Sequence, residues 1–259
     1  MALVICSLED RIGTLTLHHP ERRNALSTAL IGELIAGIDT FKREGARVVI
    51  LRALAGTKVW SAGHDISELP KSGRDPLAYD DPLERAIRAV RECPLPVIAM
   101  IEGSVWGGAC ELVLCCDIPI GAPNASFALT PAKIGVPYNP AGILRITNEV
   151  DVSVVKEMFF TALPIAGERA REAGILNHLV SHEDFERFTY DMAKSIAQLS
   201  PLSISVIKEQ MRLLGNAHPL TPETFERIQG LRRHVYDSKD YQEGVTAFLE
   251  KRKPNWTGR

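Results

Sequence analysis

The segment RIGTLTLHH, residues 11–19, alternates apolar and polar positions, the period-two pattern of a strand with one buried face. The whole N-terminus, from MALVIC through this segment, alternates and reads as a strand. From Ser27 the spacing changes. STALIGELIAGIDTFKR places apolar residues at helical intervals to Arg43, with Ser27 as N-cap. RVVILRAL (47–54) and LPVIAMIEG (95–103) are apolar along their whole length and read as strands buried on both faces. Between and after them GGACELVLCCD (107–117) reads as a helix, and IPIGAP (118–123) and SFALTP (126–131) as short strands. Strands and helices in this succession predict an α/β protein.

The pattern becomes helical after about residue 195. Segments 200–217, 221–236 and 238–254 each carry helix spacing, and Pro254 is the expected stop of the last. The chain therefore divides into a core, 1–195, and a C-terminal helical region, 196–259. LPKSGRDPLAYDDPLER (69–85), rich in Pro, Gly and Asp, reads as a mobile loop.

Composition narrows the function classes. The 259 residues are 45% hydrophobic and 24% charged, with net charge −2, so no basic field points to nucleic acid or an anionic membrane. No run of 18 apolar residues is present, and a spanning helix is not expected. The N-terminus lacks a basic leader. Five cysteines, Cys6, Cys93, Cys110, Cys115 and Cys116, are an odd number without CxxC spacing. They read as free thiols in a reducing compartment, and the expected location is cytoplasmic. No His, Cys or acid cluster has metal-ligand spacing, and no metal is expected.

Two strand ends carry candidate chemistry. The first runs into Ser61-Ala62-Gly63-His64-Asp65, the second into the glycine-rich turn GSVWGG (103–108) and a helix. Small residues let a ligand approach the backbone, and the helix start offers unpaired N–H groups. One N–H from each turn, converging on one oxygen, would form an oxyanion hole. On turn chemistry alone, tight turns with no ligand are an equal reading.

The segments ERRNALS (21–27), SAGHDISEL (61–69), PVIAMIEGSVWGGACELVLCCD (96–117), AGIL (173–176) and FLEKRKP (248–254) resemble the enoyl-CoA hydratase/isomerase, or crotonase, superfamily, over essentially the whole chain. The resemblance implies a spiral of ββα units with a C-terminal helical trimerisation region, as a homotrimer or a homohexamer built from two trimers. It implies an acyl-CoA substrate whose thioester oxygen lies between the amides of His64 and Gly108. ERRNALS and residues Ala62, Gly63, His64, Asp65 and Ile66 would hold the CoA, and Lys251 would reach its phosphates. Coenzyme A is part of the substrate, and no separate cofactor is implied.

Hydratases of the superfamily use two glutamates around one water. Glu111 corresponds to the first, but Ala132 stands at the position of the second, and alanine cannot move a proton. SAGHD, SVWGGA, GVPYN and FERIQGLRRHVYDSKDYQEG resemble instead the decarboxylating members. They imply conversion of methylmalonyl-CoA to propionyl-CoA and CO2 through a thioester enolate. That reaction needs the two amide donors but no base. Tyr138 is the candidate for holding the departing carboxylate, with Thr130 as a second polar contact or an ordinary strand residue. Glu111 either orients a substrate group or is structural. Protonated, it is also a candidate proton donor to the enolate. Hydration or isomerisation with Glu111 as sole acid/base, and a non-catalytic acyl-CoA or RNA-binding protein, are the competing readings.

Overall fold

The computed structural model describes residues 2–69, 79–215 and 222–257. Strands β1 (Val4–Glu9) and β2 (Ile12–Leu17) form an antiparallel hairpin, turned by Asp10 and Arg11 at positive φ. Helix α1 (Thr28–Arg43) starts at Ser27, whose side chain accepts from the Leu30 amide, and buries Leu30, Ile31, Leu34, Ile38 and Phe41 along one stripe. Then follow β3 (Val48–Ala53), β4 (Val59–Ser61), α2 (Pro82–Arg91), β5 (Val97–Ile101), β6 (Ser104–Trp106) and α3 (Gly108–Leu114). Next come β7 (Ile118–Gly121), β8 (Ser126–Ala128), α4 (Pro140–Glu149), α5 (Val152–Thr161), β9 (Ile165–Ala166) and α6 (Gly167–Glu172). The chain closes with β10 (His178–Leu179), α7 (Phe185–Ala197), α8 (Pro201–Gly215), α9 (Pro222–Tyr236) and α10 (Lys239–Leu249).

Successive strands part into two sheets. One has the order β1-β2-β3-β5-β7-β10, the other β4-β6-β8-β9. Three successive passes, β3-β4-α2, β5-β6-α3 and β7-β8-α4, each add one strand to each sheet and then a helix, which is the expected spiral of ββα units. Beyond the β1–β2 hairpin the larger sheet is parallel. Its central strands lie between α7 on one face and the main core on the other. That is why β3 and β5 carry no alternation: Val48, Val49, Ile50 and Leu51 are all buried, each contributing about 1.5–3 kcal/mol.

Three details differ from the sequence expectation. Residues 70–78 of the expected loop lie outside the described residues, but its end is helix α2. Asp81 caps it by accepting from the Leu83 amide, Pro82 takes the first turn, and Leu83, Ala86, Ile87 and Val90 are buried. The Asp-Pro pair that suggested a loop is a helix start, where proline loses no hydrogen bond. The last helix ends at Leu249, before Pro254, and Lys251 follows with φ 55°. Helix α7 runs through residue 195 to Ala197.

The C-terminal helices behave differently from one another. Helix α10 buries Tyr241, Val245 and Ala247 and packs on two short 3₁₀ turns, Ile66–Glu68 and Pro131–Ile134. Helix α8 buries no residue, and Leu202, Met211 and Leu214 are at least 70% exposed. Among the described residues no helix is long and apolar enough to cross a membrane.

Candidate active site

Strands β4 and β6 are parallel neighbours in the smaller sheet, so their C-terminal ends lie side by side. This brings together two glycine turns that are more than forty residues apart in the chain. Gly63 has φ 84°, and a Cβ there would sit 2.3 Å from the Trp106 carbonyl oxygen and 3.2 Å from the Gly108 nitrogen. Only glycine fits such an approach. Gly107, with φ 52°, is the N-cap of α3, and Gly108 is its first residue.

The orientation of the His64 amide follows from its neighbours. Leu26 donates its N–H to the Gly63 carbonyl at 2.7 Å, and Asp65 donates to the Leu26 carbonyl at 3.4 Å. In an extended segment alternate residues turn their polar groups to opposite sides. The His64 N–H therefore faces away from Leu26, toward α3. A Cβ built on Gly108 would lie 3.6 Å from the His64 nitrogen. Among the described residues neither amide donates to a protein acceptor. Two free donors thus converge at the first turn of a helix, where the dipole adds positive potential.

These amides open into a narrow cleft of about 70 Å³, walled by Ala62, His64, Ile66, Gly108, Thr130 and Tyr138 among the expected residues. Leu69, Leu83, Pro131, Ile134 and Val136 complete an apolar lining that the sequence had not marked. The His64 imidazole lies with Nδ1 3.2 Å from the Asp65 carbonyl and Nε2 3.3 Å from Asp81 Oδ2. Burial opposes its charge, but the Asp81 hydrogen bond and carboxylate outweigh burial, and its pKa is raised above the ordinary 6.5. Asp65 accepts from the Ser67 amide at 3.0 Å, the Ser67 hydroxyl at 2.6 Å and Arg22 at 3.0 Å. It thereby fixes the turn that presents His64. Burial disfavours its charge, yet these donors hold its pKa below the ordinary carboxylate value.

Glu111 is wholly buried, and it is not part of the cleft wall. Its Oε2 accepts from the Tyr138 hydroxyl at 2.6 Å, and its Oε1 accepts from Arg145 Nε at 2.8 Å. The other arm of Arg145 reaches Glu84, which also accepts from Asn139 Nδ2 at 3.2 Å. Tyr138 thus stands between Glu111 and the cleft. Proton delivery from Glu111 to a substrate, one of the roles expected for it, would run by way of the phenol that it holds. Burial pushes the Glu111 pKa up, opposed by Arg145 and Tyr138. Gly142 makes the cluster possible: a Cβ there would lie 2.6 Å from Tyr138 Cε1 and 2.8 Å from Glu111 Oε2.

One expectation about position changes. Ala132 is exposed on its 3₁₀ turn and does not line the cleft, so it does not face Glu111 across it. Lys251, expected to reach the CoA phosphates, is exposed beyond the end of α10. It follows a helix that packs on both lips of the cleft. The sequence reading missed Glu84, Arg145 and Asp81. The first and last lie in the segment taken for a loop, where the buried spacing 83, 86, 87, 90 was the available signal. Among the described residues no three His, Cys, Asp or Glu side chains are placed to hold a metal.

The chain belongs to the enoyl-CoA hydratase/isomerase family, whose profile matches residues 8–259. It is 50% identical to methylmalonyl-CoA decarboxylase of Escherichia coli (strain K12), over 96% of this chain and 95% of that one. A solved structure of methylmalonyl-CoA decarboxylase in complex with 2-nitronate-propionyl-CoA superposes with TM-score 0.97 at 49% identity, covering 99% of both chains. The human enoyl-CoA hydratase domain-containing protein 3 is more distant, at 33% identity over 96% of this chain and 81% of its own.

Proposed function

We propose that the protein is a carboxy-lyase that converts methylmalonyl-CoA to propionyl-CoA and CO2. The convergence of the His64 and Gly108 amides on an apolar cleft carries the reading, together with the half-identical decarboxylase relative. The thioester oxygen sits between the two N–H groups. The C2–carboxylate bond stands perpendicular to the thioester plane, and its electrons form the C1–C2 double bond as CO2 leaves. Negative charge gathers on the oxygen, where two oriented donors are already in place. The enolate then takes a proton at C2. The proton-bearing side chains at the cleft wall are those of His64, Thr130 and Tyr138.

Among the described residues no lysine or arginine lines the cleft, which suits loss of a carboxylate. A cation would bind the substrate carboxylate strongly and stabilise the ground state. The Tyr138 hydroxyl donates its one proton to Glu111, so while that bond stands an incoming carboxylate beside Leu83 and Val136 receives no hydrogen bond from the phenol and is left weakly held. Residues Ala62 to Ile66 and Lys251 are assigned to the CoA moiety. Incubation with methylmalonyl-CoA is expected to release CO2 and form propionyl-CoA, while crotonyl-CoA keeps its conjugated chromophore. Hydration of crotonyl-CoA without CO2 release would replace this reading with hydratase chemistry.

The helical region 196–259 is assigned to assembly and to closing the CoA site. Leu202, Val206, Ile207, Met211, Leu213 and Leu214 on α8 form an apolar face of the kind that subunit contacts cover. Sedimentation is expected to give the mass of three or six chains; a monomer at micromolar concentration would remove this assignment.

A further inference from the structure

The buried group behind Tyr138 has two carboxylates and one guanidinium. Arg145, on α4, bridges Glu111 on α3 and Glu84 on α2. The side chains are at most 12% exposed. Arg145 does not line the substrate cleft. Its free edge opens into a separate cavity of about 670 Å³, with Arg91, Cys115, Glu149 and Met211 in its wall. It therefore has no route to the reacting atoms, yet it holds the carboxylate that holds the phenol.

We propose that Arg145 and Glu84 are positioning residues for decarboxylation: the guanidinium, shared between Glu84 and Glu111, fixes the Glu111 carboxylate so that it pins the Tyr138 hydroxyl at the cleft wall. The proposal rests on the decarboxylase reading of the cleft. Three helices meet at one cation, so the phenol's position depends on a shared charge and not on Glu111 alone. Withdrawing Glu84 leaves the whole guanidinium to Glu111 and favours its ionised form. Withdrawing the guanidinium leaves two carboxylates face to face and favours protonation. The other titratable groups around this cluster are Tyr138 itself, Cys110 on α3, Cys115 at its C-cap, and Arg91 on α2 beside Cys115. Burial pushes the Cys110 thiol up to about 12 and raises Cys115 further, so both stay neutral and the carboxylates set the balance.

The test follows the ring resonances of Tyr138 in protein labelled with ¹³C-tyrosine, assigned by their loss in Tyr138→Phe. The pH midpoint at which they report Glu111 protonation is expected to fall by about one unit in Glu84→Gln and to rise in Arg145→Met. Where Arg145→Met does not fold, Arg145→Lys is expected to raise it less, because the ammonium loses the fork. Opposite movement separates a shared charge from general loosening, which would move both variants the same way. In turnover, Glu84→Gln is expected to lower kcat about tenfold with KM unchanged, and to have no further effect in the Tyr138→Phe background. Midpoints that stay put or move together, or a Glu84→Gln loss that adds to that of Tyr138→Phe, would overturn the proposal. Absence of CO2 release by the wild type would instead defeat the decarboxylase reading, with the resonance shifts still deciding the role of Arg145.

Discussion

Gly108→Ala keeps its amide N–H, but its methyl obstructs the oxyanion site, and the variant is expected to lower kcat for CO2 release by about 10²–10³, as much as removing one donor would. The new methyl meets Leu83 Cδ2 at 2.5 Å and stands 3.6 Å from the His64 nitrogen, at the rim of the space the thioester oxygen must enter. Leu83 is the flexible end of a side chain and can shift, so the variant is expected to fold. Gly63→Ala is the harsher change. Its φ of 84° and a 2.3 Å approach to backbone oxygen leave no room to relax. It is expected to lose stability along with activity. Gly32 on α1, exposed and with nothing near a new methyl, is the control, where alanine is expected to stabilise the helix by about 0.5–1 kcal/mol. Wild-type turnover by a folded Gly108→Ala would mean that the oxygen is bound elsewhere.

Arg145→Ala is expected to be the most destabilising single change at the site. Removing one partner of a buried ion pair costs about 3–5 kcal/mol, because the remaining charge has no compensation. Here two remain, Glu84 and Glu111, both on helices packed around the site. The loss carries a pH signature. Burial already raises the pKa of Glu111, and without the guanidinium that opposes the rise it goes higher still. A raised carboxyl stabilises the fold below its unfolded pKa and loses that contribution as pH rises through the folded value. The deficit is therefore expected to be largest at about pH 8 and to shrink toward about pH 5, read from urea unfolding at both. An equal deficit at both would mean that lost packing, not stranded charge, is the cause.

The two predictions depend on different kinds of information. The spacing of apolar residues made many of the strands and helices legible, because burial on one face or two writes itself into a local period, and the family resemblance supplied the ββα spiral. The glycine turns were legible too, since only glycine accepts φ near 84° at Gly63 or the backbone approach around Gly108. The resemblance of SAGHD and SVWGGA then assigned the amides of His64 and Gly108. Local pattern failed where one residue type serves two purposes. Asp81 and Pro82 punctuate a loop or open a helix equally well, and the choice fell to Leu83, Ala86, Ile87 and Val90 reaching the core.

What the sequence by itself determined is a part of the elements, α1, β3, β5, α3, β7, β8 and the C-terminal helices among them, the two glycine turns and the family they resemble. Only the tertiary structure decided that β4 and β6 lie side by side, that Tyr138 stands between Glu111 and the cleft, and that Glu84 and Arg145 complete the buried cluster. The reason is physical. A period reports whether a residue is buried, but a charge partner 61 residues away along the chain leaves no periodic trace. Glu84 in a first helical turn has the same local signature whether it faces water or a guanidinium.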